Sequence, residues 1–413
     1  MDTPILQSRL PQYSSGWRQW KTQLLQRVHR WRNALLLSPE FHRRIVQIPF
    51  GAAIARRRAT ELHNITAGFV YSQTLSACVS LRLFHHLRQG PIALSTLSSL
   101  CQLPSAGLER LLLAARSLRL AEYYEDGRWG LGELGAAMEA NPGIAAMVEH
   151  HQHLYRDLMD PVALLRGRGP THLSAYWPYA RQQNDGDTQA YSQLMSVSQQ
   201  LIADTILNAL TLPKSGHWLD VAGGEGAFAQ ALLARNPALT ATVFDLIPSS
   251  TDAAGSVSCT TDTDTGTNTS RLTDIEANAP DYGNTQNTRL QFIHGNMFSD
   301  PLPTNATVIS LIRILHDHDD DRVRALLKRV HDALDQDGTL VIAEPMAQTP
   351  GAEAIGDAYF GLYLWAMGSG RPRTAAEITL FLQEAGFCSV TEQRSAMPCL
   401  VRIITACRSE SNV

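Results

Sequence analysis

The spacing of apolar residues divides the chain into a helical first part and an alternating second part. Between 62 and 165, apolar residues recur every three to four positions, and the stretch 68–90 predicts one helix that stops at a Gly-Pro pair. The stretch 94–120 predicts two helices separated by a turn. Asp126-Gly127, which lies between aromatic residues, then predicts a tight β-hairpin. Two helices followed by a small hairpin are typical of a winged-helix module.

The second helix of this module, predicted over 105–120, indicates what the module does. It carries Arg110, Arg116 and Arg119 among many apolar positions. A helix that reads DNA needs an exposed polar face, whereas most of this helix is apolar. We therefore expect a dimerisation module in a homodimer that binds no nucleic acid, with DNA binding as the alternative.

From about residue 200, short apolar runs alternate with helical stretches, which predicts a parallel sheet with crossover helices. Strands are expected at 217–222, 240–245, 290–294, 307–312 and 339–344. Two further runs, "FCSVTEQR" and "CLVRIITACR", are joined by a short turn and predict an antiparallel hairpin on that sheet. The fold class is therefore α/β, a Rossmann-like sheet with a terminal antiparallel hairpin, preceded by a mostly helical winged-helix domain.

One segment shows neither the spacing of a helix nor an apolar run typical of a strand. Residues 249–288 are rich in Ser, Thr, Asp, Asn and Gly and poor in large apolar side chains, so they predict a disordered surface insertion. The expected organisation is a basic helical extension over 1–61, the winged-helix domain over 62–169, and the α/β domain over 170–413.

Charge is unevenly distributed along the chain. The formal net charge is −4, but the first sixty residues hold eleven Lys and Arg against Asp2 and Glu40. Trp17, Trp20 and Trp31 lie among these basic residues. A basic amphipathic helix with Trp is typical of peripheral binding to anionic membranes, and packing on the protein or on a second subunit is the alternative. We expect a cytoplasmic protein, because the six cysteines are scattered and no signal peptide is visible. Peripheral binding through the basic segment would hold it at the inner membrane.

The run 217–229, "HWLDVAGGEGAFA", predicts a strand, a glycine turn and a helix. Its Gly224-x-Gly226-x-x-Ala229 spacing is that of a dinucleotide-binding turn, and Asp245 follows about twenty residues later, where an acid can hold ribose hydroxyls. A phosphate loop of the Walker A type is excluded because no Gly-Lys-Ser/Thr follows.

Two carboxylates decide between the possible ligands of this turn. Asp220 ends the strand and Glu225 lies within the loop. They would repel the pyrophosphate of NAD(P), whereas the ammonium and sulfonium of S-adenosylmethionine suit acidic surroundings. We therefore expect S-adenosylmethionine, with NAD(P) or a turn without a ligand as the alternatives.

Six segments, taken together, resemble one family. They occur in the order "LDVAGGEGAFAQAL", "VFDLIPS", "GNMF", "RILHDHDDDRV", "TLVIAEPM" and "GRPRTAAEITLFLQEAGF". This order is similar to that of the class I small-molecule O-methyltransferases of plants and bacteria, over roughly residues 62–413. The stretches "DAYFGLYLWAMGSGRPRT" and "HHQHLYRDLMDPVALLRG" resemble more narrowly the carotenoid O-methyltransferases of purple bacteria. This resemblance implies methylation of the 1-hydroxyl of an acyclic carotenoid.

The resemblance also implies the residues that bind S-adenosylmethionine. The glycine loop falls on Gly223, Gly224 and Gly226, and the ribose-binding acid falls on Asp245. The acid near adenine is replaced by Asn296, whose amide can still form hydrogen bonds. Met297 and Phe298 would lie beside the purine ring.

The family's catalytic base falls on His316, after the fourth strand, where a neutral imidazole can accept the hydroxyl proton. Glu344 matches the first of two glutamates that flank this base in relatives acting on phenols, but Pro372 occupies the second position. His318 stands where the family often has Trp. A metal site through His316 and His318 is a minor alternative, since other ligands are not apparent.

The acceptor site is expected to be aromatic and apolar. The resemblance places Tyr191, Met195, Tyr359, Phe360, Tyr363 and Met367 on its wall, although each of them could equally belong to a helix core. His150, His151 and His153 either line the pocket mouth or lie on a helix. Metal binding by them is a minor alternative, because adjacent side chains on a helix point apart. Methylation of a polyketide or phenol, C-methylation of a tetrapyrrole, and a winged-helix regulator that senses S-adenosylmethionine remain alternatives.

Overall fold

The computed structural model describes residues 15–167, 169–176, 199, 201–246 and 288–408. Most of the predicted insertion at 249–288 lies outside these residues. Among the helices described, none is long and apolar enough to cross a bilayer.

Three helices, α1 (Ser15–Leu36), α2 (Pro39–Ile45) and α3 (Pro49–Ser80), precede the rest of the fold. Their apolar residues are largely exposed, with Trp20 at 57 % and Trp31 at 68 % exposure. Helix α3 continues across the boundary that we expected between residues 61 and 62, and the domain boundaries stay predictions.

The predicted helix over 68–90 is in fact two helices. Helix α3 ends at Ser80, and α4 (Leu83–Leu87) begins after Arg82, whose φ of 52° cannot continue a right-handed helix. The predicted pair of helices and the hairpin are both present. In addition, a two-residue strand pairs with the hairpin and completes a three-stranded sheet of order β1-β3-β2. These elements are β1 (Ile92–Ala93), α5 (Leu94–Leu100), α6 (Ser105–Ser117), β2 (Ala121–Tyr123) and β3 (Arg128–Leu131).

Four helices lead towards the large sheet: α7 (Glu133–Glu139), α8 (Pro142–Asp157), α9 (Pro161–Leu165) and α10 (His172–Tyr176). The side chain of Asp160 caps α9 by accepting a hydrogen bond from the backbone N–H of Ala163. Residues 201–209 form α11, whose Ile206 is fully buried against the sheet.

The seven-stranded sheet has the order β6-β5-β4-β7-β8-β10-β9. Only β10 runs against its neighbours, since it inserts antiparallel between β8 and β9. The strands are β4 (Gly216–Val221), β5 (Leu239–Asp245), β6 (Leu290–His294), β7 (Ala306–Ile312), β8 (Leu334–Glu344), β9 (Phe387–Gln393) and β10 (Arg402–Arg408). The predicted α/β sheet and its terminal antiparallel hairpin are confirmed.

Helices cover both faces of the sheet. They are α11, α12 (Ala227–Arg235), α13 (Asp320–Ala333) and α15 (Ala375–Ala385). Helix α14 (Gly361–Met367), which follows a π-helix over Ala354–Phe360, packs instead against α8 and α10. In α13, Val323, Leu326, Leu327 and Val330 are fully buried at helical spacing, so this helix presents one apolar stripe to the core. Because β4, β5, β7 and β8 run parallel, their carboxyl ends lie at one edge of the sheet, where ligands of open α/β sheets bind.

Candidate active site

The glycine loop, residues 222–226, joins β4 to α12 as the sequence predicts. The backbone N–H of Gly224 donates a 2.7 Å hydrogen bond to Oδ2 of Asp245 at the end of β5. Gly226 begins α12 with a φ of 78°, a conformation that favours glycine. The structure thus brings the predicted ribose-binding acid against the predicted loop.

Asp220 lies directly beneath this loop and is 1 % exposed. Its Oδ1 accepts a 2.5 Å hydrogen bond from the Ser310 hydroxyl, which in turn accepts one from Trp218 Nε1. Its Oδ2 has no hydrogen-bond partner among the described residues. A Cβ on Gly223 would lie 2.4 Å from that oxygen, so only glycine fits there. Burial raises the pKa of Asp220 to about 7, and the nearby charge of Asp245 acts in the same direction.

The turn after β6 holds the predicted adenine-binding residues. Oδ1 of Asn296 accepts a hydrogen bond from the backbone N–H of Phe298, so the Asn296 side chain stabilises its own turn. The Arg322 guanidinium lies 4.0 Å from the Phe298 ring centroid, and the ring of His318 meets Phe298 edge-on at 4.8 Å. The His318 ring therefore packs against an aromatic ring. Burial is the main cause that lowers the pKa of His318 to about 3, and the positive charge of Arg322 is the second.

His316 lies on a 3₁₀ turn over Leu315–Asp317, directly after β7. It is 6 % exposed, and its Nδ1 is hydrogen-bonded to Oε2 of Glu344, at the end of β8. The other oxygen of Glu344 accepts hydrogen bonds from the backbone N–H groups of Ile314, at 2.9 Å, and Leu315, at 2.7 Å. This carboxylate therefore orients both the turn and the imidazole.

The second ring nitrogen of His316 has an acidic neighbour. Nε2 lies 3.3 Å from Oδ1 of Asp317. Burial disfavours the imidazolium, but the charges of Asp317 and Glu344 outweigh burial, so the pKa of His316 lies above its usual value. Burial raises the pKa of Asp317 as well. The pair of acids thus makes His316 a stronger base than a solvent-exposed histidine.

Arg373 is a residue of the site that the sequence reasoning missed. It is 2 % exposed and donates hydrogen bonds of 2.6 Å to the backbone carbonyls of Leu315 and His318. It also donates a hydrogen bond of 2.8 Å to the carboxylate of Asp320. Its only signal in the sequence was its place in the "GRPRT" segment. Asp319 is the N-cap residue of α13, but its side chain accepts a hydrogen bond from the backbone N–H of Gly370 and none from the helix.

The segment from 354 to 367 places aromatic rings next to the base. Phe360 meets the His316 ring edge-on with centroids 5.8 Å apart, and Tyr359 meets Phe360 at 5.0 Å. Tyr363 stacks on Tyr359 at 5.8 Å. Met367 is 1 % exposed and packs in a core cluster with Tyr363. The other two predicted wall residues, Tyr191 and Met195, lie outside the described residues.

Comparisons with known proteins relate most of this chain to one family. The family model of the O-methyltransferase domain matches residues 155–269 and 266–388, more than half of the chain. Demethylspheroidene O-methyltransferase of Rhodobacter capsulatus is 36 % identical over 90 % of this chain and 88 % of its own. The enzyme of the same name from Cereibacter sphaeroides is 37 % identical over 88 % of this chain and 90 % of its own.

Solved structures show the same fold at lower identity. Human N-acetylserotonin methyltransferase in complex with S-adenosylmethionine has a TM-score of 0.67 at 21 % identity, over 86 % of this chain and 98 % of its own. Mitomycin 7-O-methyltransferase has a TM-score of 0.64 at 19 % identity, over 86 % of this chain and 100 % of its own. With the family match and the two relatives above 30 % identity, the chain belongs to the S-adenosylmethionine-dependent O-methyltransferase family.

Proposed function

We propose that this enzyme methylates the 1-hydroxyl of an acyclic carotenoid, with His316 as the general base. The observation that carries the proposal is the buried His316–Glu344 pair beside Phe360 and Tyr359, in a chain 36 % and 37 % identical to two demethylspheroidene O-methyltransferases. A base placed against apolar aromatic rings suits a hydroxyl on an apolar molecule.

The residues of the glycine loop fit a cationic methyl donor. Oδ2 of Asp220 lies beneath Gly223 with no hydrogen-bond partner in the described part of the chain, and Asp245 closes the loop from the next strand. Both groups favour positive charge and oppose a pyrophosphate. We assign S-adenosylmethionine to Gly223, Gly224 and Gly226, with its ribose at Asp245. Its adenine is assigned to the turn formed by Asn296, Met297 and Phe298.

When bound, S-adenosylmethionine supplies an activated methyl group on a sulfonium. Glu344 accepts the Nδ1 proton of His316, which leaves Nε2 as the atom that takes the proton from the acceptor hydroxyl. Once it has lost its proton to Nε2, the acceptor oxygen would be the nucleophile for that methyl group, with the neutral thioether of the donor as the leaving group. The hydrogen bonds from Ile314 and Leu315 to Glu344 hold this geometry before the acceptor enters, so positioning contributes to the rate.

The raised pKa of His316 sets a pH dependence. Only the neutral imidazole accepts a proton, and its fraction grows as the pH rises through the pKa of this residue. We expect kcat/KM to rise through an inflection above about 6.5, the ordinary value for histidine. A pH–rate profile measured with saturating S-adenosylmethionine checks this, and an inflection below that value would contradict it.

The acceptor is tested directly with purified protein, S-adenosylmethionine and a panel of hydroxylated acyclic carotenoids, phenols, polyketides and tetrapyrroles. Mass spectrometry should show one added methyl on a carotenoid. Methylation confined to phenols or polyketides would overturn the acceptor assignment, and a methylated tetrapyrrole carbon would overturn O-methylation. A winged-helix regulator that senses S-adenosylmethionine would instead bind DNA with strong salt dependence. It would catalyse no methyl transfer, so His316→Ala would change no activity.

We infer that the N-terminal helices hold the enzyme against an anionic membrane surface, which would place it at the cytoplasmic face of the inner membrane. Support comes from Trp20 and Trp31, which are exposed on α1 among Arg27, Arg30 and Arg32. The test compares the full chain with a variant lacking residues 1–50 in flotation with anionic and neutral vesicles. Equal partitioning of the two proteins would contradict the inference.

We also propose a homodimer. Helix α3 leaves Leu62, Ile65 and Phe69 exposed by 64 %, 78 % and 70 %, a row of apolar side chains that a second subunit can cover. Sedimentation equilibrium should give twice the chain mass, and Ile65→Glu should lower the dimer fraction. A monomer at micromolar concentration would exclude the dimer.

A further inference from the structure

Two adjacent histidines of α8 reach the aromatic segment beside the catalytic base. Nε2 of His150 is 2.8 Å from the Tyr363 hydroxyl, and Nε2 of His151 is 2.7 Å from the Tyr359 hydroxyl. Neighbouring side chains on a helix point about 100° apart, yet both rings are engaged, since the two tyrosines are four residues apart and lie on one face of the opposing segment. The two pairs thus join residues that are more than 200 positions apart in the chain.

These hydrogen bonds fix rings that continue to the base. Tyr363 stacks on Tyr359 with an interplanar angle of 28°, and Tyr359 meets Phe360, which meets His316. Tyr359 and Phe360 end the π-helix Ala354–Phe360, a conformation that is rare and frequent at functional sites. The backbone is therefore a π-helix, not an α-helix, at the position where the ring of Phe360 contacts His316.

The two pairs are neutral. Burial lowers the pKa of His150 to about 4 and also lowers the pKa of His151. Burial raises the pKa of Tyr359 to about 12. At neutral pH these pairs bring no net charge to the site, and each engaged hydroxyl has its polar partner within the protein.

We propose that His150 and His151 are positioning residues that select an extended, apolar acceptor. They bind the tyrosine hydroxyls on the α8 side, so the acceptor meets ring faces and ring edges. Without these bonds, the rings of Tyr359 and Tyr363 would lose the contacts that fix their orientation against α8. The inference rests on the proposed function, because it specifies how the carotenoid chain is held next to His316.

A purely structural brace between α8 and the aromatic segment would show the same contacts. The two roles differ in what they change. A brace affects the free energy of unfolding alone, whereas positioning residues affect the KM for the acceptor while the affinity for S-adenosylmethionine stays constant.

The test uses His151→Phe, Tyr359→Phe and the double variant, which retain a ring at each position and remove the hydrogen bond. Each single variant should raise the KM for the hydroxylated carotenoid about tenfold, with kcat and the Kd for S-adenosylmethionine within about twofold. The double variant should resemble the single ones, because all three lack the same bond. His151→Gln should recover much of the loss, since an amide can still bind the hydroxyl.

Gln152→Ala, an exposed change on the same helix, is the matched control and should behave as the wild type. Single variants with a lower melting temperature and an unchanged KM for the acceptor would overturn the inference and leave the proposed function intact. Variants whose effects on KM multiply in the double variant would also overturn it. A wild-type enzyme that does not methylate the carotenoid would overturn the proposed function and this inference with it.

Discussion

The catalytic turn and the glycine loop lie at the same edge of the sheet, yet they differ in how their polar groups are satisfied. In the catalytic turn, Glu344 is bonded to His316 and to two backbone N–H groups, and Arg373 binds two backbone carbonyls. In the glycine loop, Oδ2 of Asp220 is buried with no partner among the described residues.

This difference indicates two ways to build one site. The catalytic turn is preorganised by the protein, which suits a base that must meet a proton in one geometry. Beneath the loop, Oδ2 of Asp220 has no partner among the described residues, and burial disfavours the charge of this acid until a cationic ligand compensates it. Both loops also contain a residue other than glycine in the left-handed region, Ala222 with φ 57° and Arg313 with φ 60°, so both store backbone strain.

The largest effect is expected from removal of the base in the catalytic turn. His316→Ala should lower kcat by about 10²–10⁴-fold, because the acceptor hydroxyl loses its general base. The Kd for S-adenosylmethionine should stay within about twofold, since His316 is assigned to the acceptor. Single-turnover kinetics and calorimetric titration measure the two quantities, and a kcat within about threefold of the wild type would exclude the role of base.

Next in size is the support of the catalytic turn. Arg373→Met removes the donors to the carbonyls of Leu315 and His318. The Leu315 carbonyl retains the backbone N–H of His318, at 3.3 Å, whereas the His318 carbonyl loses its bond from Arg373, so the free energy of unfolding should fall by about 2–4 kcal/mol. Arg371→Met is the matched control, because its side chain is 40 % exposed and binds Asp320 without touching those carbonyls. Its cost should stay below about 1 kcal/mol. Equal costs in urea denaturation would show that the carbonyl contacts do not matter.

A smaller effect is expected from the glycine loop. Gly223→Ala places a Cβ 2.4 Å from Asp220 Oδ2, so the loop must move and the Kd for S-adenosylmethionine should rise about 10–100-fold. Gly68→Ala in α3, with no atom within 4 Å of the added carbon, should leave this Kd unchanged. Calorimetric titration measures both, and a normal Kd for Gly223→Ala would refute the close fit at this position.

The smallest effect sharpens the contrast through pH. The pKa of Asp220 is raised to about 7, so between about pH 4 and 7 the folded protein holds a proton that the unfolded chain has lost. Stability from this group therefore falls as the pH rises through that window. Asp220→Asn stays neutral and should melt about 3 °C or more above the wild type at pH 8, with a smaller difference at pH 5. Scanning calorimetry without ligand should show this divergence, and a constant difference would contradict it.

Some features of the site were predictable because they are local. The strand, glycine turn and helix around 217–229 follow from apolar spacing, and Asp245 and His316 follow strands, so both were expected at the carboxyl edge. The break at Arg82 and the start of β8 at Leu334, five residues before the predicted 339, were missed. Local pattern does not report where tertiary contacts end one element or extend another.

The roles of Arg373 and of the pairs formed by His150 and His151 could not be predicted. Arg373 binds a carbonyl 58 residues away, and the histidines bind hydroxyls more than 200 residues away. A helix position for His150 and His151 was one of the two expectations, but nothing in the local sequence indicated their tyrosine partners.

By itself, the sequence determined the alternation of strands and helices, the glycine loop with its acids, and the family, because each depends on residue type and short spacing. The tertiary structure alone decided which side chains are buried and with what they pair. Long-range packing determined that Glu344 orients His316, while Oδ2 of Asp220 finds no partner among the residues that the structure describes. Desolvation and hydrogen bonding depend on neighbours that the chain brings together only when it folds.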